Sequence, residues 1–395
     1  MATEIAVRKA LIEANSWHAD KILGTLAFVR PLDDPCIRTH DAFGKGDISY
    51  PKLAPKQSPF GSLPRLNDLR KTLIREIIGK EEDRLDDGDS DGISLFNTST
   101  GAEETILLLQ NITNPSYTSA IPSMNPFFTT ISGLQVELPD DFSHMMAITE
   151  EATIVIAPSN HLLELQHTNE SYTYTTMMTG QVIWFVWPPT THNLDCLKMG
   201  YEMFESDRRK ADANIIKLLE YGVTFVQEKG DCVRLPPFCV ILALSTNTTV
   251  LAKTSAITGG SFIQGLSNIP LLEAWWKTEV GGAKKRHDFF SALTWQIRMI
   301  LSDDVEAFST KDLEPPISLS DPLPSLLKSW DDVKAGFMSI MNVQDREDIM
   351  ARLVELLRRC KGNSCFICGK SFGKSKARMN VEAHISQHHW VERDK

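Results

Sequence analysis

The chain has 395 residues, of which 42% are hydrophobic and 23% are charged, and its formal net charge is −10. This composition excludes a wholly disordered, collagen-like or coiled-coil chain and allows two or three domains of about 150 residues each. The charge is uneven, because residues 351–395 hold ten Lys and Arg against four Asp and Glu. A basic tail on an acidic body favours a polyanionic partner, DNA or RNA, for the tail.

No segment reaches the roughly 20 apolar residues that a membrane helix needs, and the N-terminus lacks the apolar core of a signal peptide. The seven cysteines are odd in number and sparse, with four scattered and three close to the C-terminus. This usage is typical of a reducing compartment, with a metal site in the cysteine cluster. We therefore expect an intracellular protein without a membrane partner.

Residues 1–92 are predicted to be helical and irregular, with an amphipathic helix over Asn67–Lys80. From residue 93 to residue 265 the pattern changes to short β-rich runs separated by turn residues, with one helical insert over Asp207–Tyr221. The predicted strands are Ile154–Ala157, Tyr172–Met178, Val182–Trp187, Val223–Gln227, Cys232–Leu235, Cys239–Leu244 and Thr249–Ala252.

Residues 266–360 are predicted to be helical, and residues 361–395 are predicted to form a separate short module. The best helical patterns cover Leu271–Lys277, Asp288–Leu301 and Asp345–Cys360, with a Pro-rich connector over Leu313–Pro324. The chain is thus predicted to be an α+β protein, in which helical regions flank a β-barrel or double-sheet jelly roll.

The C-terminal module carries a metal-ligand pattern, Cys365-x2-Cys368-x15-His384-x3-His388, with His389 as an alternative last ligand. Two thiolates two residues apart can hold one ion from a tight turn, and histidines at i and i+4 share one helix face. Phe372 and Val381 supply apolar positions between the ligands. Residues 363–390 thus resemble the Cys-Cys-His-His zinc finger family, except that fifteen residues rather than about twelve separate the second Cys from the first His. The resemblance implies one Zn2+ and a small ββα-type fold.

Two stretches of the β-rich middle resemble the Jumonji C (JmjC) branch of the cupin-fold oxygenases, in the style of its fungal members. In the first, His167 is followed thirteen residues later by Gly180 and then by a hydrophobic strand that ends in Pro188–Pro189. The second stretch, KGDCVRLPPFCVIL over residues 229–242, is similar to the strand that leads to the distal iron-binding His of the family. The resemblance implies a double-stranded β-helix (jelly roll) over residues 93–265.

The iron site that this resemblance implies is degenerate, because three of its four diagnostic positions are lost. His167 matches the first His, but Asn169 replaces the Asp and Ile241 replaces the distal His. Val182 stands where many members carry the Lys that pairs with 2-oxoglutarate. A facial iron site needs two histidines and one carboxylate, so Fe(II) and 2-oxoglutarate are not expected. Because residues 239–244 are continuously apolar, their strand is predicted to line a packed interior.

Three histidine and glutamate positions offer an alternative metal site, because His161, Glu164 and His167 follow one another at intervals of three residues. This region has the pattern of a strand, and on a strand Glu164 points away from both histidines.

The sequence supports three hypotheses about function. The first is a non-catalytic (pseudoenzyme) JmjC-like protein with a zinc finger, a nuclear regulator associated with chromatin proteins or nucleic acid. The second is an active Fe(II)/2-oxoglutarate oxygenase or demethylase with an unusual ligand set. The third is a scaffold in which the cupin barrel and the finger serve only protein contacts. The chromatin role comes from the family resemblance alone, and fold does not determine function.

Overall fold

The computed structural model describes most of the chain outside its acidic N-terminal third. The described residues are 2–16, 18–32, 34, 52–53, 71, 74–75, 127–135, 145–148, 151–203, 214–279, 281–302, 322–359, 363–372 and 378–390. They fall into two compact units. The first comprises Met1–Phe142, Ile148–Leu197 and Asp207–Ala256, and the second comprises Ser143–Ala147, Lys198–Ser206 and Ile257–Lys395.

The strands belong mostly to the first unit and are numbered here in chain order. They are β1 (Val29–Pro31), β2 (Lys52–Leu53), β3 (Phe127–Gln135), β4 (Met145–Ile148), β5 (Glu151–Ala157), β6 (Leu162–His167), β7 (Tyr172–Thr179), β8 (Gln181–Trp187), β9 (Gly222–Glu228), β10 (Cys232–Leu235), β11 (Val240–Ser245) and β12 (Thr249–Thr258). Helices α1 (Ala2–Ala14) and α2 (Ala19–Leu26) precede them, and α3 (Thr191–Glu202) follows β8.

The first unit contains two sheets of interleaved strands. One has the order β1–β9–β8–β11–β6, and the other has the order β2–β10–β7–β12–β5–β3. All pairings along these two orders are antiparallel except that of β1 with β9. From β5 to β8, and again from β9 to β12, each strand lies in the opposite sheet from the strand before it. The unit is therefore a mixed structure dominated by two antiparallel sheets.

Apolar side chains from both sheets form the interior of the first unit. Successive side chains on a strand point to opposite faces, so Val182, Trp184 and Val186 of β8 face this interior together. The Trp184 indole Nε1 donates a hydrogen bond of 3.0 Å to Gln227 Oε1, which satisfies its one polar atom. The buried cluster consists of Met177, Val182, Trp184, Val186, Val223, Phe225, Val233, Leu235, Cys239, Ile241, Ala243 and Leu251.

Gly180 has a structural role in the turn between β7 and β8. Its φ is +92°, and an added Cβ would lie 2.6 Å from Thr249 Cγ2 and 2.7 Å from the Thr248 carbonyl oxygen. Only glycine adopts this backbone conformation freely, and no side chain fits in the space. The glycine that the family resemblance identified is thus required by the turn itself.

The second unit is helical. Its helices are α4 (Gly259–Ser267), α5 (Ile269–Trp276), α6 (Gly282–Ser302), α7 (Pro322–Met338), α8 (Val343–Arg359) and α9 (Arg378–His384), and a π-helical turn, Ile385–Trp390, continues α9. Helix α4 starts with a capping box, in which the Thr258 and Ser261 side chains and backbone N–H groups bond reciprocally.

Two helix pairs organise this unit. Helix α7 packs against α4, and Gly336 lies opposite the Leu266 carbonyl oxygen at the closest approach. Helix α6 packs against α8, where the Arg298 guanidinium bonds to Asp345 at 2.8 Å and to Asp348 at 2.7 Å.

The predicted elements correspond closely to the described ones. Every predicted strand has a counterpart, and the predicted N-terminal helicity and the three best C-terminal helices are also present. Helices α3 and α4 were not predicted, and α7 lies in the region predicted to be helical but was not located there as a separate helix. The predicted helix Asn67–Lys80 lies outside the described residues except at residues 71, 74 and 75. The predicted helical insert Asp207–Tyr221 is described from residue 214 onward, and there it is helical only over residues 214–216. The four-domain division stays a prediction, and the compact units divide the chain between Ala256 and Ile257.

No helix among the described residues is both long enough and apolar enough to cross a membrane.

Candidate functional site

A tight turn holds the two cysteines of the C-terminal pattern. The Gly369 N–H donates to the Cys365 carbonyl oxygen at 2.7 Å, and the Cys365 N–H donates to the Lys370 carbonyl oxygen at 2.8 Å. Ser364 and Ser371 form an antiparallel bridge on either side of this turn. Gly369 has a φ of +72°, which explains a glycine directly after the second cysteine. The turn presents both thiols in the same direction.

The structure corrects the fourth ligand that the sequence favoured. Cys365, Cys368, His384 and His389 come together, and their ligand atoms all lie within 4.8 Å of one another. His388 instead accepts a hydrogen bond from Lys370 Nζ at 3.2 Å through its Nε2. The sequence prediction assumed an α-helix, in which residues i and i+4 share a face. Residues 385–390 form a π-helical turn, whose i to i+5 repeat brings His389 to the side of His384.

The distances within this cluster fit zinc. Zn–S and Zn–N bonds of about 2.3 and 2.05 Å at tetrahedral angles separate sulfur from nitrogen by about 3.6 Å. The Cys365 Sγ lies 3.5 Å from His389 Nε2, and the Cys368 Sγ lies 3.4 Å from His384 Nε2. The four residues could therefore hold a metal ion such as zinc, with two thiolates and two Nε2 atoms as donors.

Burial shifts the pKa values of two of the four ligands in favour of their neutral forms. Desolvation raises the pKa of the Cys365 thiol to about 12, with the neighbouring Cys368 adding to the effect. Desolvation also lowers the pKa of His384 to about 4, with His389 and His388 lowering it further. The His384 lone pair is thus free of a proton at neutral pH, and a bound metal would supply the charge that stabilises the thiolates.

A carboxylate orients one of the two histidines. Asp331 on α7 accepts hydrogen bonds from His389 Nδ1 at 3.0 and 3.1 Å, which leaves His389 Nε2 facing the thiols. Burial alone would raise the pKa of Asp331, but hydrogen bonds from Lys334 and His389 hold it below its ordinary value. Trp330 donates to the His389 carbonyl oxygen at 3.0 Å and stacks on Trp390. Such outer partners fix the tautomer and ring orientation of metal-binding histidines.

These contacts also show that the metal cluster is part of the helical unit. The sequence predicted a separate module over residues 361–395, and that division stays a prediction. Within the helical unit, α9 packs on α8, and the π-helical turn packs on α7 and α8. Val381 and Ile385 are fully buried, and Phe372 packs edge-on against the His384 ring. The reason is the apolar and hydrogen-bonding surface of α7, a helix that the sequence analysis did not locate.

The interior of the first unit contains a cavity of about 200 Å³. The prediction of a packed interior was wrong, since Ile241 and Ala243 border open space although they are nearly fully buried. Apolar side chains can line a cavity as well as fill one, and small residues leave room. The lining residues are Val155, Ala157, His161, Leu163, Gln166, His167, Thr168, Asn169, Thr173, Thr175, Val182, Trp184, Leu235, Ile241, Ala243, Ser245, Leu251 and Lys253.

All four positions of the degenerate iron site border this one cavity. His167, Asn169, Val182 and Ile241 lie on β6, the loop after it, β8 and β11, so the fold brings together residues up to 74 positions apart. The alternative metal site that the sequence offered does not come together, because His161 and His167 line the cavity and Glu164 does not. Among the described residues, the Cys/His cluster at residues 365–389 is the one group of three or more close metal-ligating side chains.

His167 is a buried, neutral histidine. Its ring stacks on Phe238 with a centroid distance of 5.8 Å, and desolvation lowers its pKa to about 3. The imidazole therefore carries no charge at neutral pH. It presents a polar but uncharged surface to the cavity.

The sequence analysis missed one cation in the cavity. Lys253 lies on β12 two residues after Leu251, on the same face of the strand, and borders the cavity with it. The predicted strand ended at Ala252, one residue too early to include it. The strand alternation that places Leu251 and Lys253 on the same face was the sequence signal that could have identified Lys253 as a lining residue.

Comparisons with known proteins give no assignment for this chain. No protein family model matches it, and no curated protein matches it. Solved structures that resemble part of the chain include an oxalate decarboxylase–formate complex from Lactobacillus farciminis, with 12% identity over 28% of this chain and 24% of that chain. Another is a cupin superfamily protein from Desulfitobacterium hafniense, with 5% identity over 35% of this chain and 83% of that chain. Both TM-scores are 0.19, so the functions of these proteins are not transferred to this chain.

We predict that His389→Ala weakens zinc binding by more than about 100-fold, beyond the usual effect of outer-shell changes. His388→Ala should leave zinc affinity within a few-fold of the wild type, because His388 faces Lys370. Zinc stoichiometry and chelator competition on the full chain measure both effects. Cys196→Ser is the matched control, since Cys196 lies on α3, far along the chain from the cluster. A larger loss in His388→Ala would contradict the structure.

We also predict a specific pH dependence from His167. Its pKa is about 3 in the folded state and 6.5 in the unfolded state, so the unfolded chain binds the extra proton between these values. The stability is complete above pH 6.5 and falls with decreasing pH, by about 2 kcal/mol between pH 7 and pH 5. His167→Asn should remove this part of the dependence, and the exposed His287→Asn should retain it. Hydrogen exchange of the β8 and β11 amides at both pH values measures the difference.

Proposed function

We propose that the first unit is a cupin-type double-stranded β-helix, in a protein similar to the fungal JmjC members. The strand order supports this proposal, because β6, β8, β9 and β11 pair in one sheet and β5, β7, β10 and β12 pair in the other. Such interleaving is how a jelly roll winds two sheets from one chain. The conformation of Gly180 further supports the motif on which the resemblance rests.

We propose that this barrel is non-catalytic. One observation carries the proposal: the positions that the resemblance assigns to the iron ligands and to the 2-oxoglutarate cation meet at one cavity, and only His167 keeps its type. A facial iron site needs two histidines and a carboxylate. The described cavity lining offers His161 and His167 but no Asp or Glu, so the residues present do not fit Fe(II).

We propose that the Cys/His cluster holds one structural Zn2+ in a zinc-finger-like segment. This proposal is supported by the number of protein donors. The cluster offers four donor atoms, as structural zinc sites do, whereas catalytic zinc sites keep one position open for water or substrate. When bound, the zinc would tie the cysteine turn to the π-helical segment. Cys365, Cys368, His384 and His389 would be its ligands.

We propose a nuclear role in association with chromatin or nucleic acid, through the basic tail. The support is the excess of Lys and Arg over residues 351–395. This role stays a prediction from charge and from family resemblance. A scaffold with protein partners only is the competing proposal, and salt-dependent binding separates the two.

The first test addresses catalysis. Anaerobic titration of the full, zinc-loaded chain with Fe(II) is expected to show no iron site in the cavity, and an assay with 2-oxoglutarate should yield no iron-dependent succinate. A positive control is the double variant Asn169→Asp/Ile241→His, which restores two histidines and a carboxylate and should gain iron affinity. Stoichiometric iron in the wild type, with turnover that His167→Ala abolishes, would establish the oxygenase instead.

The second test addresses nucleic acid. The full chain is expected to bind DNA or RNA weakly, with an affinity that falls as salt rises. Reversing Lys370, Lys374 and Lys376 together to Glu should reduce the slope of log K against log salt by about 2 to 3. The control reverses three exposed lysines elsewhere, Lys217, Lys229 and Lys284. Absent binding at low salt, or equal losses in both variants, would favour the scaffold.

A further inference from the structure

The cavity in the first unit is lined by apolar and polar residues in equal number, and one of the polar residues is charged. Half of its lining residues are aliphatic or aromatic, including Leu163, Trp184, Leu235 and Ile241. Lys253 is the one Lys, Arg, Asp or Glu among the described lining residues. A pocket with an apolar body and a few convergent polar groups is the usual form of a small-molecule site.

The Lys253 ammonium has no counterion in direct contact among the described residues, and the charge that acts on it is that of Glu170. No hydrogen-bond acceptor or carboxylate within ion-pair distance of Lys253 occurs among the described residues. Burial lowers its pKa, and the charge of Glu170 acts on it in the opposite direction. A partly buried ammonium without a close partner is unfavourable, so an anionic group in the cavity would stabilise it.

A second unused donor lies near Lys253 on the same sheet. The Thr173 Oγ1 is buried without a hydrogen-bond partner, and Thr173 also lines the cavity. In the pairing of β12 with β7, Lys253 lies opposite Thr175 and Ser255 lies opposite Thr173. Thr173 is therefore the diagonal neighbour of Lys253, within reach of a long side chain. An ammonium and an unpaired hydroxyl thus lie on neighbouring strands of one sheet and border the same cavity.

We propose that this cavity binds a small carboxylic acid with an apolar body, whose carboxylate accepts hydrogen bonds from Lys253 Nζ and Thr173 Oγ1. The apolar part would lie against the aliphatic residues and Trp184. A 150 Å³ cavity holds benzene, so about 200 Å³ has room for roughly six to eight non-hydrogen atoms. This inference goes beyond the proposed non-catalytic role, which assigns the cavity no ligand, and it does not depend on zinc.

Other ligand classes fit the cavity less well. A cation would meet the Lys253 ammonium, and a purely apolar molecule would leave both donors unpaired, which is unfavourable in a buried site. The JmjC resemblance assigns its cation to position 182, which is Val, so the site at Lys253 is not the one that the resemblance implies. The preference for a carboxylate follows from residues on β7 and β12 instead.

The test compares three ligands of nearly equal size: pentanoate, pentanamide and pentylamine. The full, zinc-loaded chain is titrated with each at pH 8, and binding is followed calorimetrically. Pentanoate is expected to bind at least about tenfold more tightly than pentanamide, as befits a hydrogen bond to a charged group. Pentylamine should bind most weakly.

Two variants give opposite expected results. Lys253→Met should abolish the preference for pentanoate over pentanamide and retain pentanamide binding. The control variant, with the exposed Lys229→Met, should change neither this preference nor the affinity for pentanamide. Glu170→Gln should tighten pentanoate binding several-fold, because it removes a competing negative charge near Lys253. A merely structural role for Lys253 would not predict this gain.

The proposal is overturned if wild-type protein shows no preference for pentanoate over pentanamide, or if Lys253→Met keeps that preference. If Lys253→Met does not fold, the wild-type comparison and Glu170→Gln decide the question. Iron binding and succinate formation are measured separately, so a failure here is distinct from a failure of the non-catalytic proposal.

Discussion

The pairing of β11 between β6 and β8 determines which side chains the interior of the first unit contains. Its register sets Ile241 opposite Gln166 on one side and Val186 on the other. Because side chains alternate along a strand, a slip of one residue would turn Ile241 and Ala243 away from the cavity. The cavity therefore depends on hydrogen bonds between strands as much as on the size of the residues that line it.

This register gives the degenerate positions a physical meaning. Ile241 and Val182 border the cavity with their aliphatic groups, so they make its wall apolar where the resemblance implies a ligand and a cation. Lys253 enters the same space from the other sheet. The ligand chemistry that the interior favours is therefore set by the residues present rather than by those that the resemblance implies.

Much of this structure could be predicted from local patterns. Short apolar runs between turn residues identified seven of the twelve described strands, and the cysteine and histidine spacing identified three of the four clustered ligands directly. The choice of His389 over His388 as the fourth member of the cluster depends on the π-helical turn. The sequence shows both histidines, but it does not show the number of residues per helical turn.

Helix α7 was not located because its first residues, Pro322 to Pro324, belong to a Pro-rich stretch that favoured a connector, although proline is compatible with a first helical turn. The predicted strand stopped before Lys253 because lysine has a low strand propensity. In the structure, the pairing of β12 with β5 and β7 continues through Lys253.

The cysteine turn and the π-helical segment are joined through residues 365 and 389, which encloses a loop of 24 residues. A metal ion that bridged them would act as a cross-link, and closing a loop of this size removes chain entropy from the unfolded state worth about 3.5 kcal/mol at 25 °C. A disulfide would give a similar restriction in an oxidising compartment, but it would resist chelators and respond to reductants. A bridge made by zinc has the opposite sensitivities. With zinc bound in this cluster, the order of the C-terminal segment would be coupled to the free zinc concentration around the protein rather than to its thiol redox potential.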